Sequence, residues 1–139
     1  MPGNPSPTIM MMTCIATEAA PIPAGHYSQA VVHAVGDSRL VFVSGQLPVV
    51  PGAPMDPEMP IDRQVEQALR NVEAILRAAG SSLDRVLSAT LYVVDIARWP
   101  EVNAAYARVM GAHRPARTTV PVPALHHGFA VEIQVVAAL

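Results

Sequence analysis

A chain of 139 residues with nine arginines, no lysine and a formal charge of −2 lacks the concentrated positive charge that phosphate-backbone binding requires, which argues against a nucleic-acid partner. Hydrophobic residues make up 51% and charged residues 14%, against about 25% charged in an ordinary soluble domain, so a large interface in a symmetric homo-oligomer is expected, the alternative being an unusually apolar monomer. A single cysteine, Cys14, excludes an intramolecular disulfide and any zinc site built on cysteine.

Residues 1–13, rich in Pro, Ser and Met, read as a loose tail before one domain over 14–139. The start carries no basic n-region and its apolar run is too short to span a bilayer, so a soluble cytoplasmic protein is expected. The β-branched and apolar runs 27–34 and 39–44, separated by Gly36-Asp37-Ser38, predict a hairpin. PVVPGAPMDPEMP, residues 48–60, holds five prolines and predicts an extended loop.

Asp62 then precedes Val65, Ala68, Leu69, Val72, Ile75, Leu76 and Ala79 at spacings of three and four, a helix ended by Gly80. In 86–94, Leu87, Ala89, Leu91 and Val93 alternate with Val86, Ser88, Thr90, Tyr92 and Val94, and the apolar character of both faces predicts a central strand. Pro100 opens a second helix through Val102, Ala105, Tyr106 and Val109 to Gly111, and strands over 116–122 and 129–137 follow. The order β-β-α-β-α-β-β is an α+β arrangement with both helices able to cover one sheet face. The other face is expected to pack against neighbouring subunits.

The chemistry concentrates on the Arg117 strand. Arg117 and Thr119 share one face there, and Glu132 and Gln134 share one face of the last strand against Val131, Ile133 and Val135. Taken as neighbours, the two strands leave two readings open. Arg117 and Glu132 form a buried ion pair that fixes register, or Arg117 is a bidentate receptor for a small carboxylic acid and Glu132 acts on a water molecule. The remaining candidates are weaker. His126 and His127 are adjacent and diverge in an extended segment, so they do not chelate one metal ion; His26 and His33 read as loop or surface residues. Ser44-Gly45 lacks a G-x-S-x-G frame, Cys14 has no activating neighbour, and no G-x-G-x-x-G or P-loop frame occurs.

The segments TEAAPIPAGHYSQA, FVSGQLPV, QALRNVEAILRAAGSSLDRV, TLYVVDIARWPEVNAAY and above all RPARTTV with VEIQVVA, in this order and spacing, resemble the Rid family of reactive intermediate/imine deaminases, also called YjgF or endoribonuclease L-PSP. The resemblance runs from about Ile15 to the C-terminus. It implies a chorismate-mutase-like α+β fold of the bacillus type, a homotrimer with a central barrel of sheets, and active sites between subunits. It implies hydrolysis of enamines or imines of the 2-aminoacrylate and 2-aminocrotonate type to 2-keto acids and ammonia, the 2-iminobutanoate/2-iminopropanoate deaminase reaction, with no metal and no organic cofactor.

Carried over by position, Arg117 matches the arginine that grips the substrate carboxylate and Glu132 the glutamate that orients the attacking water. Tyr27, Ser44, Gly45 and Asn103 match residues around the pocket. One departure stands out: where the family pattern commonly reads arginine, serine, cysteine, this chain has Arg117, Thr118 and Thr119. The Thr119 hydroxyl can hydrogen-bond a water, but it is bulkier at Cβ and far less acidic than a thiol. Two other functions compete: a member that binds small carboxylates without turnover, and, less supported by a lysine-free chain with no histidine beside Arg117, an endoribonuclease or translation inhibitor.

Overall fold

A computed structural model describes residues 11–139, so most of the expected tail, residues 1–10, lies outside the described residues. The elements are β1 (Met12–Ile15), β2 (Ala30–Val35), β3 (Ser38–Gln46), α1 (Ile61–Ala79), β4 (Val86–Val93), α2 (Trp99–Met110), β5 (Ala116–Pro121) and β6 (Val131–Ala138), with short 3-10 turns before β4, α2 and β6. The six strands form one sheet in the order β1-β2-β3-β6-β4-β5, with two helices packed on one face. All neighbours are antiparallel except β4 and β5, which run parallel because α2 carries the chain back between them. No helix among the described residues is long and apolar enough to cross a membrane.

The core forms where the periodic faces meet. Val65, Leu69, Val72 and Leu76 of α1 and Val102 and Ala105 of α2 are buried against Val41, Leu91, Ile133 and Val135 of the sheet. Each large aliphatic side chain so buried contributes about 1.5–3 kcal/mol. Two polar residues on the buried side of α1 hold the proline-rich loop, whose carbonyls have few N–H donors nearby. Asn71 Nδ2 donates to Leu47 O (3.0 Å) and Val49 O (2.8 Å). Gln64 Nε2 donates to Pro57 O (3.1 Å) and Met59 O (2.9 Å), while its Oε1 accepts from Ala130 N (2.8 Å) and ties the start of β6 to the same helix.

Four expectations are corrected. Met12 and Thr13, assigned to the tail, stand in β1 paired with Val32 and His33, which makes six strands rather than five. Asp62 does not precede α1 but lies in its first turn: the helix starts at Ile61 after Pro60, without a side-chain cap. A register shift between Val86 and Ser88 puts Val86, Ala89, Leu91 and Val93 on the helix-covered side and leaves Leu87 49% exposed. Most importantly, β5 and β6 are not neighbours: β4 lies between them, with Ala89 opposite Arg117 and Tyr92 opposite Glu132.

The helix-free face is mixed: Glu132 and Gln134 of β6 stand on it opposite Tyr92 and Thr90 of β4, beside a more apolar part. One row of paired residues across it reads Cys14, Val31, Phe42, Val136 and Ser88. Phe42 at its centre is 46% exposed.

Candidate functional site

Arg117 lies on the helix side of the sheet, because its partner in the register, Ala89, is buried there. Residues at positions i, i+4 and i+7 of α2 share a helix face, and Trp99, Asn103 and Tyr106 are so spaced and meet the arginine together. Its guanidinium carbon is 4.6 Å from the centre of the Trp99 ring and 4.8 Å from that of Tyr106, and Nη1 donates to Asn103 Oδ1 at 3.0 Å. The rings hold the cation through their faces without cancelling its charge. Among the described residues no carboxylate lies within salt-bridge distance of Arg117; the four ion pairs present are Arg70–Glu73, Arg77–Glu73, Arg98–Glu101 and Arg108–Asp62. A guanidinium carries five N–H donors in a planar fork, and one is taken by Asn103. Arg117 also lines a cleft of about 430 Å³ between the end of α2 and β5. Thr119, half-buried, is two residues along the same strand face.

Glu132 lies on the opposite face. It is half-buried, and burial pushes its carboxyl above the ordinary glutamate value, with the nearby charge of His126 pulling the other way. Its place is made by a missing side chain: a Cβ on Gly45 would come within 2.9 Å of Glu132 Oε1 and 3.0 Å of its Cδ. Gly45 and Ser44 lie where the β3–β6 register shifts between Val43 and Gln46. Ser44 Oγ donates to Ser28 O at 2.6 Å, and Ser44 N donates to Gln29 O at 2.9 Å, which brings the Tyr27 segment alongside. Gln29, buried, fixes the chain before Tyr27 by accepting from Thr17 N (2.6 Å) and donating to Thr17 O (3.0 Å) and Pro21 O (2.9 Å). Tyr27 itself is 52% exposed.

The residues singled out in the sequence thus divide in two. Arg117, Asn103 and Thr119 form one group at the edge of the sheet under α2, and Glu132, Gly45, Ser44 and Tyr27 form another across the end of β3 and the start of β6. The Arg117–Glu132 ion pair, one of the two readings left open by the sequence, is absent, because the two side chains project from opposite faces of the sheet on strands separated by β4. The two aromatic clamps on Arg117 were missed. Trp99 sits at the helix start, and Tyr106 reads as a core position, which it also is at 6% exposed. Among the described residues no group of three His, Cys, Asp or Glu side chains is placed to hold a metal ion.

The sequence profile of the family described as Endoribonuclease L-PSP matches residues 17–139. Protein HMF1 of Saccharomyces cerevisiae is 37% identical over 130 residues, 94% of this chain and 97% of that protein. Reactive Intermediate Deaminase A, chloroplastic, of Arabidopsis thaliana is 36% identical over 125 residues, 90% of this chain and 65% of that protein. Among solved structures, that of E. coli TdcF with bound serine aligns with a TM-score of 0.81 at 31% identity, covering 91% of this chain and 98% of the other.

Proposed function

The chain belongs to the Rid family, also described as endoribonuclease L-PSP, and from that premise we propose that it hydrolyses small 2-imino acids, with their enamine tautomers, to 2-keto acids and ammonia. The observation that carries the proposal is the state of Arg117: a cation oriented by two aromatic rings and one amide, with no carboxylate among the described residues at salt-bridge distance. A planar guanidinium so held matches a carboxylate through two parallel charge-assisted hydrogen bonds. The E. coli relative whose structure holds serine shows a small amino acid bound within the same fold.

The chemistry needs little more than placement. The imine carbon is already electrophilic, so the substrate has only to be anchored by its carboxylate while a water is held near attack distance. Glu132, its carboxyl raised by burial, accepts a proton from that water as the C–O bond forms and passes it to the nitrogen, giving a carbinolamine; it then carries the carbinolamine's hydroxyl proton to the same nitrogen as the C=O bond forms, the C–N bond breaks and ammonia leaves. Thr119 offers a hydroxyl beside the anchored acid.

Arg117 and Glu132 cannot reach one substrate within a single chain, since the sheet separates them. The proposal therefore includes a homotrimer in which the helix-free face is covered and each site joins the Arg117 group of one copy to the Glu132 group of the next. A cytoplasmic setting, where the exposed Cys14 stays a thiol, is proposed with it.

The test supplies 2-aminoacrylate in place from a serine dehydratase and follows the 2-keto acid. Arg117→Ala is expected to lower kcat/KM about ten- to a hundredfold, the value of a charge-assisted pair. A variant as active as the wild type overturns the reading. Binding of pyruvate without any turnover by the wild type would instead identify a carboxylate-binding protein.

A further inference from the structure

The cleft beside Arg117 is larger than a three-carbon acid requires, and its wall carries a second arginine. Asn103, Tyr106, Met110, His113, Arg114 and Arg117 all line the same space of about 430 Å³. Gly111 makes that space: it ends α2 with φ 64° and ψ −131°, a backbone conformation open to glycine, and turns the chain so that Arg114 comes back over the cleft before β5 begins. Like Arg117, Arg114 is exposed and enters none of the four ion pairs found among the described residues.

Among the described residues no acidic side chain lines this cleft. The one other ionisable nitrogen base there, His113, brings no negative charge either: its Nε2 lies 2.7 Å from Val86 O, and a carbonyl only accepts, so that nitrogen carries a proton. Two guanidinium groups thus share a concave surface on a protein whose net charge is −2. Tyr106 lines the same cleft, is 6% exposed, and its oxygen has no hydrogen-bond partner among the described residues.

Resting on the reading of Arg117 as the receptor for the first carboxylate, we infer that the preferred substrates carry a second anionic group: they are 2-imino acids of four- or five-carbon dicarboxylic acids, with Arg114 binding the distal carboxylate. The two arginines are three residues apart on extended chain, so their Cα atoms lie within about 10 Å, and their flexible stems close that gap onto a short diacid. The reaction is unchanged: water adds across C=N, the keto diacid forms and ammonia leaves. A distal carboxylate gains a bidentate, charge-assisted partner, whereas a methyl side chain gains nothing from Arg114.

The experiment generates imines in place with flavin amino-acid oxidases acting on aspartate, glutamate or alanine, and measures hydrolysis in competition with semicarbazide trapping. In the wild type the dicarboxylic imines are expected to be hydrolysed with at least tenfold higher kcat/KM than the alanine imine. Arg114→Ala is expected to abolish that preference while changing the alanine imine less than twofold. Equal loss on all three imines, or no loss on any, overturns the inference while leaving the deaminase reading intact. So does an altered particle mass by light scattering for both Arg114→Ala and Arg114→Gln, since the arginine then serves contact between copies.

Calorimetric titration keeps the inference testable should no imine be turned over. Tighter binding of 2-oxoglutarate than of pyruvate, lost in Arg114→Ala, supports the second anion site, and equal affinity overturns it.

Discussion

Replacing Gly45 by alanine moves the Glu132 carboxylate without altering its chemistry. The added Cβ would stand 2.9 Å from Oε1, 3.0 Å from Cδ and 3.3 Å from Cγ of Glu132. Gly45 is absent from the residues with positive φ, so the backbone accepts alanine, and the obstacle is the far end of a flexible side chain. Turning Glu132 away costs about 1 kcal/mol if its χ angles leave their wells by roughly 30°. The smaller freedom of alanine in the unfolded chain returns about 0.4–1 kcal/mol. The two nearly cancel, and Tm by calorimetry is expected to move by less than about 4 °C. Activity responds differently, because a displacement on the order of 1 Å of a positioning group costs up to about a hundredfold. In the coupled dehydratase assay, kcat/KM is expected to fall about ten- to a hundredfold. Wild-type activity in a folded Gly45→Ala protein refutes the assignment of Glu132 as the group that holds the water. A Tm loss above about 10 °C refutes the premise that only a side-chain tip opposes the methyl group.

The raised Glu132 carboxyl gives a second prediction. The folded protein retains a proton that the unfolded chain releases near the ordinary value of 4.5, so wild-type stability falls as pH rises from there through the higher folded value. Glu132→Gln removes that loss, and urea unfolding is expected to show the variant gaining on the wild type between pH 4 and pH 8; a pH-independent difference contradicts it. Tyr106→Phe deletes a buried hydroxyl with no partner among the described residues and is expected to hold or raise Tm in the ligand-free protein. A fall of more than about 4 °C shows that the hydroxyl is satisfied in the assembled protein.

Much of the architecture was legible because its signals are periodic. Seven apolar residues at helical spacing and Gly80 fixed α1 to within a residue or two, and Pro100 and Gly111 bracketed α2. What was not legible depends on contacts distant in sequence. The short MTCI of β1 has no alternation of its own and becomes a strand by pairing with β2. The bulge that turns Leu87 outward is set by how β4 meets β6. The order of β5 and β6 followed from the parallel β4–α2–β5 connection, whereas closeness in sequence suggested that they pair.

The candidate site divides in the same way. Arg117 stood out as a lone charge in an apolar strand, and Asn103 and Gly45 came only through the family resemblance. The Trp99–Tyr106 clamp was encoded in α2 spacing but hidden because a tyrosine at a core position needs no further reason to be there.

The claim on which the account turns is that Arg117 of one copy and Glu132 of another serve one substrate. Arg117→Ala and Glu132→Ala, each expected to keep no more than about a tenth of wild-type activity alone, are co-expressed and the mixed assemblies confirmed by native mass spectrometry. If sites form between copies of a trimer, random mixing leaves each half intact with even odds, and about one quarter of wild-type activity returns. Activity no greater than that of the two variants measured separately, in assemblies shown to be mixed, contradicts the shared site.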